Sequence, residues 1–488
     1  MFNFANMLIA DQFENVETYD DWLAIAEAQD QRTGRFDWRH SPKSPLYNYD
    51  SIRHRLSKLR RLRREGDLRK LLFTLNEGIH GNMDGMGNAG LYRYAKSGTK
   101  VLIDDYVTEI NRSLRFLAGS KSRTLSRATK LEFFDRAKHC YGSTALMCSG
   151  AGALGYFHLG VVLALHDQSI LPKVISGSSA GSLIAAIVGT RTPKELAKTL
   201  DPPTLNELIR VQDDHVQPGR LRRMNTEEVI GQIERLVPDL TFEEAFELSG
   251  RQINITVSAT RKHQKSRLLN AITSPNVLVR SAVQASCAVP GIYPPVTLLA
   301  RDADGSIKKY LPKETWVDGS LAADLPARRL SRLYGVNHYI ASQVNPVVLW
   351  SLLEYRHQDG IGPNLVDFGL RVQTEWLRYL RRSSARLLSG AYNTSYWVDN
   401  VFSLLSQDYA GDINIVPRFR FFDPRKLLSH LSEKDRSFLI DEGLKATWPQ
   451  IARVRNASSI ALTLQDIMTK MTANQRSAAI QTRVTASA

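Results

Sequence analysis

Cysteine is scarce: the 488 residues contain three, Cys140, Cys148 and Cys287. An odd, sparse count supplies no disulfide framework and points to a reducing compartment. No Cys-x-x-Cys pair or His-rich spacing suggests a metal site. Long apolar runs are missing too, and nothing approaches the roughly 20 residues that cross a bilayer. The first 22 residues lack a basic start and a sustained apolar segment, and include Asp11, Glu14 and Glu17. No secretory signal is therefore expected. These absences predict an intracellular protein, either cytoplasmic or bound to a membrane from one side.

Acidic residues are outnumbered. Sixty-four Lys and Arg against 49 Asp and Glu give a net charge of +15. The excess is spread along the chain rather than gathered in a tail, which argues against a nucleic-acid partner and suits an anionic lipid surface. The length predicts two or three structural units, and a hydrophobic content of 43% is enough for a large core.

Residues 1–140 read as mainly helical. One helix opens at Tyr19 and ends near Thr33-Gly34. Another, Ser51–Glu65, places Ile52, Leu56, Leu59 and Leu62 on one face, with Arg53, Arg55, Lys58, Arg60, Arg61, Arg63 and Arg64 around it. Such a basic face either lies on a membrane or, the more frequent case, is solvated and pairs with neighbouring acids. Gly78–Gly98 reads as a loop, and helical spacing resumes over Val101–Leu117.

Chemistry-bearing patterns begin after Thr144. Ala145-Leu146-Met147-Cys148 is a strand candidate that runs into Ser149-Gly150-Ala151-Gly152-Ala153-Leu154-Gly155, followed by an apolar helix. Gly150, Gly152 and Gly155 satisfy the Gly-x-Gly-x-x-Gly dinucleotide fingerprint. That reading needs an acid about 20 residues on, at the end of a second strand, and none stands there. The next strand candidate, Val174-Ile175, instead runs into Gly177-Ser178-Ser179-Ala180-Gly181 and a second apolar helix. Gly-x-Ser-x-Gly between strand and helix is the pattern of an exposed serine nucleophile, Ser179, and Gly150, Ala151 and Gly152 would offer backbone donors to an oxyanion. A base is also needed. Asp318-Gly319 is a candidate, and His338, His357 and His430 follow it in the order of a Ser-Asp-His triad, but nothing singles out a catalytic histidine. His158 reads as a packing residue.

Together, Gly150-x-Gly152-x-x-Gly155, Gly177-x-Ser179-x-Gly181 and Asp318-Gly319 resemble the patatin-like phospholipase family. Tyr156–Val162, Ala285–Tyr293, Trp316–Leu325 and Ser342–Pro346 resemble its branch of intracellular triacylglycerol lipases. The helical segment before residue 140 resembles the domain of unknown function that precedes the patatin domain in that branch. The resemblance implies a Ser-Asp dyad rather than a triad, with Ser179 as nucleophile, Asp318 as general base and Gly150, Ala151 and Gly152 as oxyanion loop. It also implies an acylglycerol substrate met at a membrane or lipid-droplet surface, and no cofactor. Patatins usually carry Arg or Lys where this chain has Leu154, which inclines the reading toward neutral glycerides.

The fold expected is α/β: a three-layer α/β/α patatin-like core over residues 141–345 with mainly helical flanks. The N-terminal flank is 1–140, the C-terminal extension 346–470 and a disordered tail 471–488. Within the extension, Leu365–Gly390 has the spacing of a basic amphipathic helix, fit either for a lipid interface or for packing on the core.

Overall fold

The structure, a computed structural model, describes residues 13, 16–79, 81–122, 124–209, 223–261, 266–320, 324–344, 411–419 and 426–486. Strand β1 (Ser143–Cys148) lies at the centre of a seven-stranded sheet in the order β4-β3-β2-β1-β8-β9. The others are β2 (Val174–Gly177), β3 (Gln252–Ala259), β4 (Arg267–Leu269), β7 (Trp316–Asp318), β8 (Val336–Ser342) and β9 (Ile413–Ile415). The pairs β1–β2, β2–β3, β1–β8 and β8–β9 are parallel, whereas β4 and β7 run antiparallel to β3. A separate hairpin joins β5 (Leu299–Arg301) to β6 (Ile307–Lys309).

Strand β1 is buried throughout because period-two alternation sends its side chains into both covered faces of the sheet. Leu146 and Cys148 enter the large core on one face, while Ala145 and Met147 enter a smaller core with Leu330 on the other. A sheet buried on both faces is the expected three-layer arrangement. The large core also holds apolar side chains of α4 (Tyr156–Asp167), α5 (Ala180–Gly189), α6 (Thr226–Leu236), α7 (Val279–Ser286) and α8 (Glu433–Thr447). Helices α4 and α8 touch through glycines. A Cβ on Gly160 would overlap the Ile440 carbonyl, and one on Gly443 the Phe157 carbonyl.

In the N-terminal region, α1 (Tyr49–Glu65) buries Ile52, Leu56, Leu59 and Leu62, the face read from spacing. Its basic side chains pair with acids of α2 (Val101–Gly119). Arg60 lies 2.9 Å from Asp105, and Arg63 donates to Glu109 at 2.6 Å. The solvated, acid-paired reading of this helix holds. The core here also takes Phe133, Phe134 and Tyr141 from α3 (Arg127–Tyr141), and it is closed by Ile460, Ala461, Leu464 and Ile467 of the last helix, α9 (Ile451–Ala486).

The expected boundaries therefore need amendment. Strand β9 and helices α8 and α9, all from the extension, complete the catalytic sheet, its core and the N-terminal core. The tail read over 471–488 is helical as far as Ala486. The amphipathic segment Leu365–Gly390 lies outside the described residues. Among those described, no helix is long and apolar enough to cross a membrane.

Candidate active site

Strand β2 ends at Gly177 and α5 begins at Ala180, so the chain turns at Ser179 with φ 51° and ψ −127°. An L-residue holds such angles only where its surroundings impose them. Both neighbouring glycines are required by space. A Cβ on Gly177 would overlap the Gly181 carbonyl, and one on Gly181 would overlap that of Cys148. The Ser179 N–H donates to Ser286 Oγ at 2.9 Å, and Ser286 Oγ donates to the Thr256 carbonyl at 2.8 Å. Helix α7 thereby pins the turn to β3. Sequence reasoning assigned Ser286 no role, although it lies in one of the stretches that carry the family resemblance.

Asp318 reaches the serine through strand register. Gly177, the last residue of β2, pairs with Ile255 of β3, and Asp318 pairs with Val257, two residues further along. Val257 also pairs with Arg267 of β4 on its other side. Strand β7 thus occupies the edge of β3 that β2 vacates at the turn. Gly319 permits this approach, since a Cβ there would overlap the Thr256 carbonyl.

The Ser179 side chain stands close enough to the Asp318 carboxylate to lower its pKa, and the carboxylate accepts from the Ser320 N–H at 2.8 Å. Ser179 is 7% exposed and Asp318 3%. Burial pushes the Asp318 carboxyl up to about 6, against the pull of Ser320 and Ser179. At neutral pH it is ionised, yet more basic than an ordinary carboxylate.

His158 and His338 do not line the cavity beside Ser179, whereas His430 does. His158 is buried with Nδ1 2.6 Å from Ser342 Oγ and Nε2 3.0 Å from the Ser149 carbonyl, and burial lowers its pKa to about 4. It is a neutral tie between the ends of β1 and β8, in keeping with the packing role. His338 sits on β8, and His430 Nε2 lies 3.1 Å from Glu228. His357 lies outside the described residues.

The glycine loop requires one correction. The Gly150 N–H, expected to face an oxyanion, donates to buried Asp324 Oδ1 at 2.7 Å. The Ala153 N–H donates to the Leu427 carbonyl, also at 2.7 Å. Between them, the Ala151 and Gly152 amides have no acceptor among the described residues. Gly152 has φ 53°, and a Cβ on it would overlap the Leu427 carbonyl. Gly155 packs on the first turn of α5, where a Cβ would meet that of Ala180 at 2.8 Å. Asp324 went unassigned in the sequence because nothing local marks it as a partner of a loop 174 residues earlier. Leu154 also changes meaning. It is 1% exposed in the core, so it faces no substrate and gives no guide to head-group preference.

Ser179 opens on a cavity of about 140 Å³. Leu183, Ile184 and Ile187 of α5 line one side, and Val229, Ile233 and Leu236 of α6 another. The spacing on each helix is the one that shares a face. Among the described residues, no cluster of three or more His, Cys, Asp or Glu could hold a metal.

Residues 146–330 match the family described as patatin-like phospholipase, and residues 6–139 the domain of unknown function DUF3336. Triacylglycerol lipase ptl3 of Schizosaccharomyces pombe is 32% identical over 483 residues, covering 96% of this chain and 98% of that protein. The chain belongs to the patatin-like phospholipase family. It falls in the branch that joins the two matched regions, and it is a carboxylic ester hydrolase. Triacylglycerol lipase 4 of Saccharomyces cerevisiae and triacylglycerol lipase SDP1L of Arabidopsis thaliana are each 31% identical, over 92% and 93% of this chain. This chain spans 51% of the first and 57% of the second, so both relatives carry substantial sequence that has no counterpart here.

Proposed function

We propose that this patatin-like protein is a lipase that releases fatty acids from acylglycerols through a Ser179-Asp318 dyad, with triacylglycerol as the preferred substrate. The observation that carries the reading is Ser179, held on a strained turn beside a buried carboxylate whose pKa burial raises to about 6. A base poised near neutral pH serves both halves of an acyl transfer. In the first half Asp318 takes the Ser179 proton as Oγ bonds to the ester carbonyl carbon. The oxyanion forms against the Ala151 and Gly152 amides, where one such donor is worth about 3 kcal/mol. Collapse breaks the ester C–O bond, and Asp318 returns the proton to the departing alcohol. In the second half water attacks the acyl-serine, Asp318 takes its proton, and the fatty acid leaves as the proton passes to Ser179 Oγ.

The substrate class rests on the apolar cavity beside Ser179 and on the printed names of the relatives. The net positive charge suits work at an anionic lipid surface, whether membrane or lipid droplet. The test is fatty-acid release from radiolabelled triolein and from phosphatidylcholine vesicles, side by side, with Ser179→Ala and Asp318→Asn as controls. Release from triolein that both substitutions abolish supports the whole reading. Release from phosphatidylcholine alone keeps the dyad and replaces the substrate. Full activity of Asp318→Asn would refute the dyad.

A further inference from the structure

The cavity beside Ser179 has a wall that the patatin match, ending at residue 330, does not contain. Leu427, Leu428, Ser429, His430 and Leu431 line it from the C-terminal extension. Four contacts brace this short segment. The Leu427 carbonyl accepts from Ala153 N–H at 2.7 Å, and the Leu428 carbonyl from Met224 N–H at 3.0 Å. His430 Nε2 lies 3.1 Å from Glu228 Oε2, and Arg436 Nη1 donates to the Leu431 carbonyl at 2.8 Å. The anchors are the glycine loop, the start of α6 and the first turn of α8, so the segment spans from one wall of the cavity to the other.

Its position fits a role in selecting substrate. On α5 the cavity runs from Ala180 to Ile187, about 10 Å at 1.5 Å per residue, leading away from the nucleophile. An acyl chain on Ser179 has this apolar trough to follow. Leu428 lines it next to the glycine loop: the Cδ2 atom is 3.7 Å from where a Gly152 Cβ would lie, beside the amides left without an acceptor. Leu428 is half-buried, whereas Leu431 is packed in the core.

We propose that Leu427–Leu431 is the acyl-chain wall of this site, and that Leu428 sets the length of chain it accepts. The segment also positions the glycine loop, because the Leu427 carbonyl takes the Ala153 N–H and leaves the two preceding amides for the oxyanion. The proposal rests on Ser179 being the nucleophile.

The experiment compares kcat/KM of the full chain on p-nitrophenyl butyrate and p-nitrophenyl palmitate in mixed micelles, with fluorophosphonate labelling of Ser179 as a separate arm. Wild-type labelling that Ser179→Ala abolishes is expected. Its absence would overturn the nucleophile reading and the wall with it. Leu428→Trp is expected to lower the palmitate-to-butyrate ratio at least tenfold. Leu428→Met, which conserves volume, keeps the ratio within twofold. Leu428→Ala raises it at least threefold and decides the matter if the Trp variant fails to fold. Equal losses at both chain lengths, with labelling intact, would overturn the wall alone.

Discussion

Two buried aspartates contrast, one in the N-terminal scaffold and one in the proposed reactive centre. Asp30, in the N-terminal helical region, is fully buried and accepts from Lys96 N–H at 3.1 Å, Ser97 N–H at 2.9 Å and Ser97 Oγ at 2.6 Å. It knits the helix Tyr19–Arg32 to a loop 66 residues away. Asp318 is almost as buried but accepts from the Ser320 amide and stands beside the Ser179 hydroxyl, the group whose proton it is proposed to take. A buried carboxylate braced by fixed donors holds a fold together. One whose pKa is pushed upward by burial is poised to accept a proton.

The largest break in this contrast is expected from removing each charge in turn. Asp318→Asn should reduce kcat on a soluble ester by at least a thousandfold, on the order of the loss when an essential catalytic group is removed. Asp30→Ala should leave kcat within twofold and lower stability by about 1–3 kcal/mol, the cost of orphaned buried donors, read from denaturant midpoints.

A second effect is that of pH. For Asp318 to act as base it must be ionised, so kcat/KM should fall tenfold per unit below about pH 6 and level off above it. The stability sign runs the other way. Because the folded-state pKa lies above the usual carboxylate value near 3.9, the folded state holds this proton more tightly than the unfolded chain. That contribution is complete at pH 3, and it is lost as pH rises from about 4 through about 6. Asp318→Asn, which removes the buried charge, should therefore raise Tm relative to wild type at pH 8 and not at pH 4.

The smallest effect concerns backbone strain. Ser179→Gly should abolish labelling by a fluorophosphonate yet stabilise the fold by about 1–2 kcal/mol, part of the strain held at φ 51°. A fall in Tm would remove strain as a difference between centre and scaffold.

Legibility followed the range of the physics. Helical spacing sufficed for α1, because Ile52, Leu56, Leu59 and Leu62 mark a face within 17 residues. The strand–turn–helix around Ser179 was equally plain, since its glycines act on their immediate neighbours. The pairing of Asp318 with Ser179 came from family resemblance, as the register of β7 on β3 leaves no local trace. Asp324 holding the Gly150 amide and the Leu427 carbonyl holding Ala153 were invisible for the same reason: their partners lie at least 174 residues apart in the chain. The reading of Leu154 failed because a position near a reactive loop need not point into it.

The glycine crossing of α4 and α8 bears on how this enzyme is made. Gly160 lies against Ile440, and β9 closes the sheet beside β8 only after residue 413. Ser179 leaves the ribosome long before either element exists. At 5–20 residues per second, α4 waits about 15–50 seconds for α8. Through that interval the groove beside Gly160 is open and the core is short of one side. The catalytic core is therefore completed only once the chain has been made past α8.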